Sequence, residues 1–93
     1  MWPFGNRQKL VRALDSLAIY NDKGIDWAKH SPNQTSVERS SRLAKIQSLV
    51  EAIGRPAMPA EFLAALDSGL VATDGTGRYC DLVKDRFRNR GAV

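Results

Sequence analysis

The side chains in this chain best suited to chemistry are cations grouped on one stretch of helix, and their chemistry is recognition of anions. Arg39, Arg42 and Lys45 fall three residues apart, with Ser36, Ser40 and Ser41 among them. Three-residue spacing keeps the cations on one side of a helix. Guanidinium forks fit phosphate and carboxylate groups, and serine hydroxyls add neutral donors. A plainer role for the same residues is a solvated helix end whose arginines find local acids such as Glu38. The register sets this group apart. The apolar stripe Leu43, Ile46, Leu49, Val50 and Ile53, projected backwards, lands on Arg42 and Arg39. The first half of that helix therefore lacks an ordinary core face and is expected to project beyond the core.

A second basic group closes the chain: Arg78, Lys84, Arg86, Arg88 and Arg90. It could track a nucleic-acid backbone, or its cations could complement the negative end of a helix dipole. Just before it, Asp74-Gly75-Thr76-Gly77-Arg78 could cradle an anion on backbone N–H groups. That segment lacks the spacing of a nucleotide-binding loop and reads better as a capped helix start. Trp2 and Phe4 offer a hydrophobic anchor in an N-terminal arm, or a cover folded back over a small core. A helix-turn-helix over 59–90 fails on register: Ala65 and Gly69 fit the motif, but Gly75 and Arg78 fall where the recognition helix needs apolar anchors.

Bond-making chemistry has little to work with. Cys80 lies on an apolar helix side, as a small core residue would. His30 stands beside Ser31 and Asp26, but neighbours in sequence rarely face one another productively, and Ser31 reads as a helix cap. With one cysteine and one histidine, neither an internal disulfide nor a Cys/His zinc site can be assembled. No carboxylate cluster has calcium-loop spacing. The expectation is a protein with no catalytic residues, no metal and no cofactor.

The elements that must position these groups are helical. Leu10, Val11, Leu14, Leu17 and Ala18 form the one-sided stripe of a helix over about 7–20, capped by Asn6 and closed by the turn residues 21–24. Ser31 with Pro32 starts a second helix, 32–53, that ends at Gly54. A stiff proline connector leads to a third, about 59–68, with Pro59 at its first position and Gly69 as its stop. There Phe62, Leu63 and Leu66 share one side, and Ala60, Ala64 and Ala65 line the other, where small side chains allow a close neighbour. Residues 70–73 read as extended or irregular. The last helix, about 77–90, buries Tyr79, Cys80, Val83 and Phe87, with Arg86 on the same side. A short helical turn at 25–30 would pin Trp27 inward. The fold class is all-α, one domain over 1–93 with an aromatic arm at 1–5.

Length and composition agree. At 93 residues and 43% hydrophobic, the chain supports one core and no second domain. Its longest apolar run is the five residues 62–66, against about 20 needed to cross a bilayer. With no secretory signal at the N-terminus, the expected compartment is the cytoplasm, and no membrane partner is expected. The net charge of +4 is segregated. Residues 58–77 hold Glu61, Asp67 and Asp74 and no cation, whereas 78–93 hold five cations against Asp81 and Asp85. These features favour a small non-enzymatic binding protein, an inhibitor, adaptor or accessory factor of a larger protein or nucleoprotein complex. A phage- or plasmid-borne inhibitor is one version, which no residue selects over others. The alternative is direct DNA or RNA binding through the basic helical faces. Oligomeric state is not encoded in any feature named here.

Overall fold

The computed structural model describes the backbone of residues 5–22 and 32–92, and the side chains of 5–22 and 37–88. Four α-helices follow in order: α1 (Asn6–Asp22), α2 (Pro32–Ile53), α3 (Ala60–Ser68) and α4 (Arg78–Ala92). Short 3-10 turns at Arg55–Ala57 and Leu70–Thr73 complete the described residues, which hold no strand. The fold is all-α, as the periodicity predicts. The helical turn expected at 25–30, with Trp27, and the arm carrying Trp2 and Phe4 lie outside the described residues.

Helix boundaries follow backbone chemistry, with small shifts from expectation. Gly54 (φ 109°) ends α2, its N–H donating to the Val50 carbonyl at 2.8 Å. Gly69 ends α3 in the left-handed conformation, φ 87°, where any other residue would be strained. Asn6 is the first residue of α1, not its cap; the Gly5 carbonyl accepts from the Lys9 N–H at 3.1 Å. Pro59 stands one place before α3 with an extended backbone, ψ 140°, and its carbonyl accepts the first helical bond from Leu63. Residues 70–73 form a 3-10 turn in place of an extended segment.

One core holds the four helices. Leu10, Leu14 and Leu17 of α1 meet Ile46 and Val50 of α2, Phe62, Ala65 and Leu66 of α3, and Tyr79, Cys80 and Val83 of α4. Met58 and Val71 close it from the connectors, and Val11, Leu43, Leu49, Ile53 and Phe87 pack half-buried at its edges. Phe62 is fully buried and central to this cluster, whereas Ala60 and Ala64, expected to face a close neighbour, are exposed. The shortest dimension of the molecule is 20 Å, the thickness of two helical layers of about 10 Å each.

Candidate polyanion-binding face

Two antiparallel registers build the charged surface. Arg39 Nε donates to Asn21 Oδ1 at 3.2 Å, and Arg42 Nη1 to Ser16 Oγ at 2.7 Å. Rising numbers in α2 meet falling numbers in α1, so these helices run antiparallel. On the other flank, Cys80 Sγ lies 3.5 Å from the Val11 carbonyl oxygen, and the Arg7 guanidinium sits 5.3 Å from the centre of the Phe87 ring. α4 is therefore antiparallel to α1 as well. α1 lies between the other two in one layer, with Arg12, Asp15, Ser16 and Ile19 exposed on its outer side.

Arg39 and Arg42 do not project. Both are half-buried against the polar end of α1. The Asn21 amide donates to the carbonyls of Ala72 at 3.0 Å and Asp74 at 2.8 Å while accepting from Arg39. One side chain thereby ties the end of α1 to α2 and to the segment before α4. The Arg42 guanidinium stacks 4.7 Å from the centre of the Tyr20 ring. Its Nε, closed off from water, faces the Glu38 carboxylate at 3.6 Å, an ion-pair separation too long for a hydrogen bond. The backward projection of the stripe found the right positions; the surface they meet is a helix end with its own polar groups.

The remaining cations divide by neighbour. On the α3 side, Arg55 pairs with Asp67 at 2.8 Å, Arg78 pairs with Glu61, and Arg86 Nε donates to the Ala57 carbonyl at 3.4 Å. Arg86, expected on the core side of α4, is exposed. Around α1 the pattern differs. Lys45 is one turn beyond Arg42, and Arg12 and Lys9 lie one and two turns before Ser16, so the three flank the α1–α2 seam. Lys84 is one turn beyond Cys80 and Arg88 one further, so both flank the α1–α4 seam beside Arg7. All six are exposed. Among the described residues no acid pairs with Lys9, Lys45 or Lys84, and Arg88 meets only the exposed Asp85 at 3.7 Å.

The structure thus places Lys45 on one flank of α1 and Lys84 and Arg88 on the other, with Arg78 on the α3 side. Ser40 is exposed on α2. The side chains of Ser36 and Arg90 lie outside the described residues. Arg7, Lys9 and Arg12 were not singled out from the sequence. The available signal was an α1 that carries three cations before its first acid, Asp15.

Two other groups have settled roles. Partial burial pushes the Asp74 carboxyl up, but hydrogen bonds from the Thr76 hydroxyl and from the backbone N–H groups of Thr76, Tyr79 and Gly77 outweigh it and hold the group below its ordinary value. The anion position at the start of α4 is filled by the chain's own carboxylate, so this is a capped helix start. Burial pushes the Cys80 thiol up; Lys84 opposes it, and Asp15, Asp81 and Asp74 add to the rise.

The fold and this face define a small all-α domain with a basic helical layer. No protein family, curated protein or solved structure matches the chain.

Proposed function

We propose that the chain acts by binding, as a small inhibitor, adaptor or accessory factor of a larger protein or nucleoprotein complex. The anionic part of that partner docks on the outer side of the α2–α1–α4 layer. One observation carries this reading: among the described residues, no acid pairs with Lys9, Lys45 or Lys84, exposed on α1 and on the helices either side of it. Uncompensated charge of one sign on a rigid face attracts and orients an oppositely charged partner. A binding role over a catalytic one is supported by Cys80, whose buried, raised thiol is the reverse of an activated nucleophile.

The test is capture of partners from cell extract on immobilised protein, in the wild-type form and as Lys9→Gln/Lys45→Gln/Lys84→Gln. A macromolecule retained by the first and lost from the second supports the reading. Equal retention by both removes this face from the function.

A further inference from the structure

We infer that the group recognised by this face is the sugar–phosphate backbone of a nucleic-acid duplex, which rests on the reading of the face as the binding surface. The cations are arrayed in two dimensions. Lys45 and Lys84 stand on helices either side of α1, and with neighbouring axes 8–10 Å apart they are separated by roughly 16–20 Å. Arg7, Lys9 and Arg12 fill the space between. Such a spread engages several phosphates at once, and the exposed Asn6 and Gln8 add neutral donors of the kind that contact phosphate oxygens.

Among the described residues, the aromatic side chains favour a duplex over a single strand. Strand-binding surfaces stack bases on exposed rings. Here Phe62 and Tyr79 are buried, and Phe87 and Tyr20 are half-buried under Arg7 and Arg42.

An acidic protein is disfavoured by where the apolar anchors lie. The exposed large hydrophobics are Ile19, Val37 and Leu70. Ile19 is in the last turn of α1, Val37 belongs to the part of α2 that meets that end, and Leu70 precedes the Ala72 held by Asn21. All three sit toward the Asp22 end of the layer, so among the described residues the half that carries Lys9, Lys45 and Lys84 shows no exposed large apolar side chain of the kind that centres a protein interface. Asp22 ends α1 at that same end, while Asp15 and Asp81 lie with Lys84 around Cys80 on the α1–α4 seam.

The experiment is a titration of the purified chain into labelled mixed-sequence DNA duplex, RNA duplex, single-stranded DNA and polyglutamate. Salt runs from about 50 to about 200 mM, the range over which counterion release is readily seen. Six phosphate contacts give a log–log salt slope of about −5 and a loss of about a thousandfold in duplex affinity over that range. The Lys9→Gln/Lys45→Gln/Lys84→Gln variant, net charge 4 − 3 = +1, should bind with a slope shallower by about 3. Arg55→Gln/Arg78→Gln/Arg86→Gln carries the same net charge and should keep the wild-type slope. Lys84→Gln alone should lower the slope by about 1, which keeps the test decisive if the triple variant melts early.

Absent duplex binding, or equal loss in both triple variants, overturns the inference. Polyglutamate binding with the same lysine dependence also overturns it, while leaving the face as a docking site for an acidic protein. If the partner captured from extract is indifferent to these lysines, the broader reading fails instead.

Discussion

The two sides of this molecule handle positive charge differently. On the α3 side, cations meet acids: Arg55 meets Asp67 and Arg78 meets Glu61, while Arg86 reaches a backbone carbonyl. On the α1 side, Lys9, Lys45 and Lys84 have no such acid among the described residues. The acids of α3 explain the contrast. Segregation along the chain puts Glu61 and Asp67 opposite cations from the connector before α3 and from α4, whereas the six acids of α1, α2 and α4 pair with none of these three lysines among the described residues. A net charge of +4 therefore understates the local field on one side and overstates it on the other.

The largest expected effect breaks the contrast where it is strongest. Each phosphate contact contributes roughly tenfold at 0.1 M salt, so Lys9→Gln/Lys45→Gln/Lys84→Gln should weaken duplex binding by roughly several hundredfold, or about 3–4 kcal/mol. Its unfolding free energy should stay within about 0.5 kcal/mol of wild type, because exposed side chains away from structural features contribute little. Titration with anisotropy and urea unfolding read the two quantities. A large stability loss with no change in binding would reverse the assignment.

Next comes the polar latch at the end of α1. Asn21→Ala leaves two carbonyls and the Arg39 guanidinium without their partner, at a cost of about 2–3 kcal/mol in urea unfolding. Arg42→Ala loses the Ser16 hydrogen bond and the Tyr20 stack, at about 1–2 kcal/mol. Neither variant should alter the salt slope of duplex binding by as much as one. If Arg42→Ala shifts that slope by one or more while leaving stability intact, Arg42 belongs with the lysines.

How far the sequence could have led depends on the range of each interaction. The limits of α2 were readable because Pro32 and Gly54 act within a turn of themselves, and Gly69 marked the end of α3 for the same reason. The backward stripe placed Arg39 and Arg42 in line with the core face, but the conclusion drawn from it, that this half projects, is corrected by the polar end of α1 that both arginines meet. What it met could not be read. Asn21 is 18 residues from Arg39 and Ser16 is 26 from Arg42, and periodicity assigns a face without assigning its neighbour. The basic face escaped for a related reason. Its six cations come from three helices, and each helix alone shows one to three of them.

Asp74 tests the acidic end of the layer. Its carboxyl is held below its ordinary value, so its contribution to stability is present above the unfolded value of about 3.9 and fades as pH falls through the folded value. Asp74→Ala should therefore cost about 1 kcal/mol at neutral pH, as loss of a helix cap does. That gap should close progressively below about pH 4 in thermal or urea unfolding. A gap independent of pH would mean the carboxylate charge has no part in capping α4.

The smallest effect concerns the compensated side itself. Arg55 and Asp67 are both substantially exposed, so a double-mutant cycle with Arg55→Gln and Asp67→Asn should give a coupling of only about 0.2–1 kcal/mol, shrinking as salt is added. Small as it is, this coupling is what the contrast requires: it shows the α3 cations already engaged before any polyanion arrives. It also separates two explanations for a silent Arg55→Gln in the duplex titration. With coupling present, Arg55 is silent because Asp67 neutralises it. With coupling absent at low salt, Arg55 is as available as Lys45, and position relative to α1, not prior pairing, is what selects the binding face.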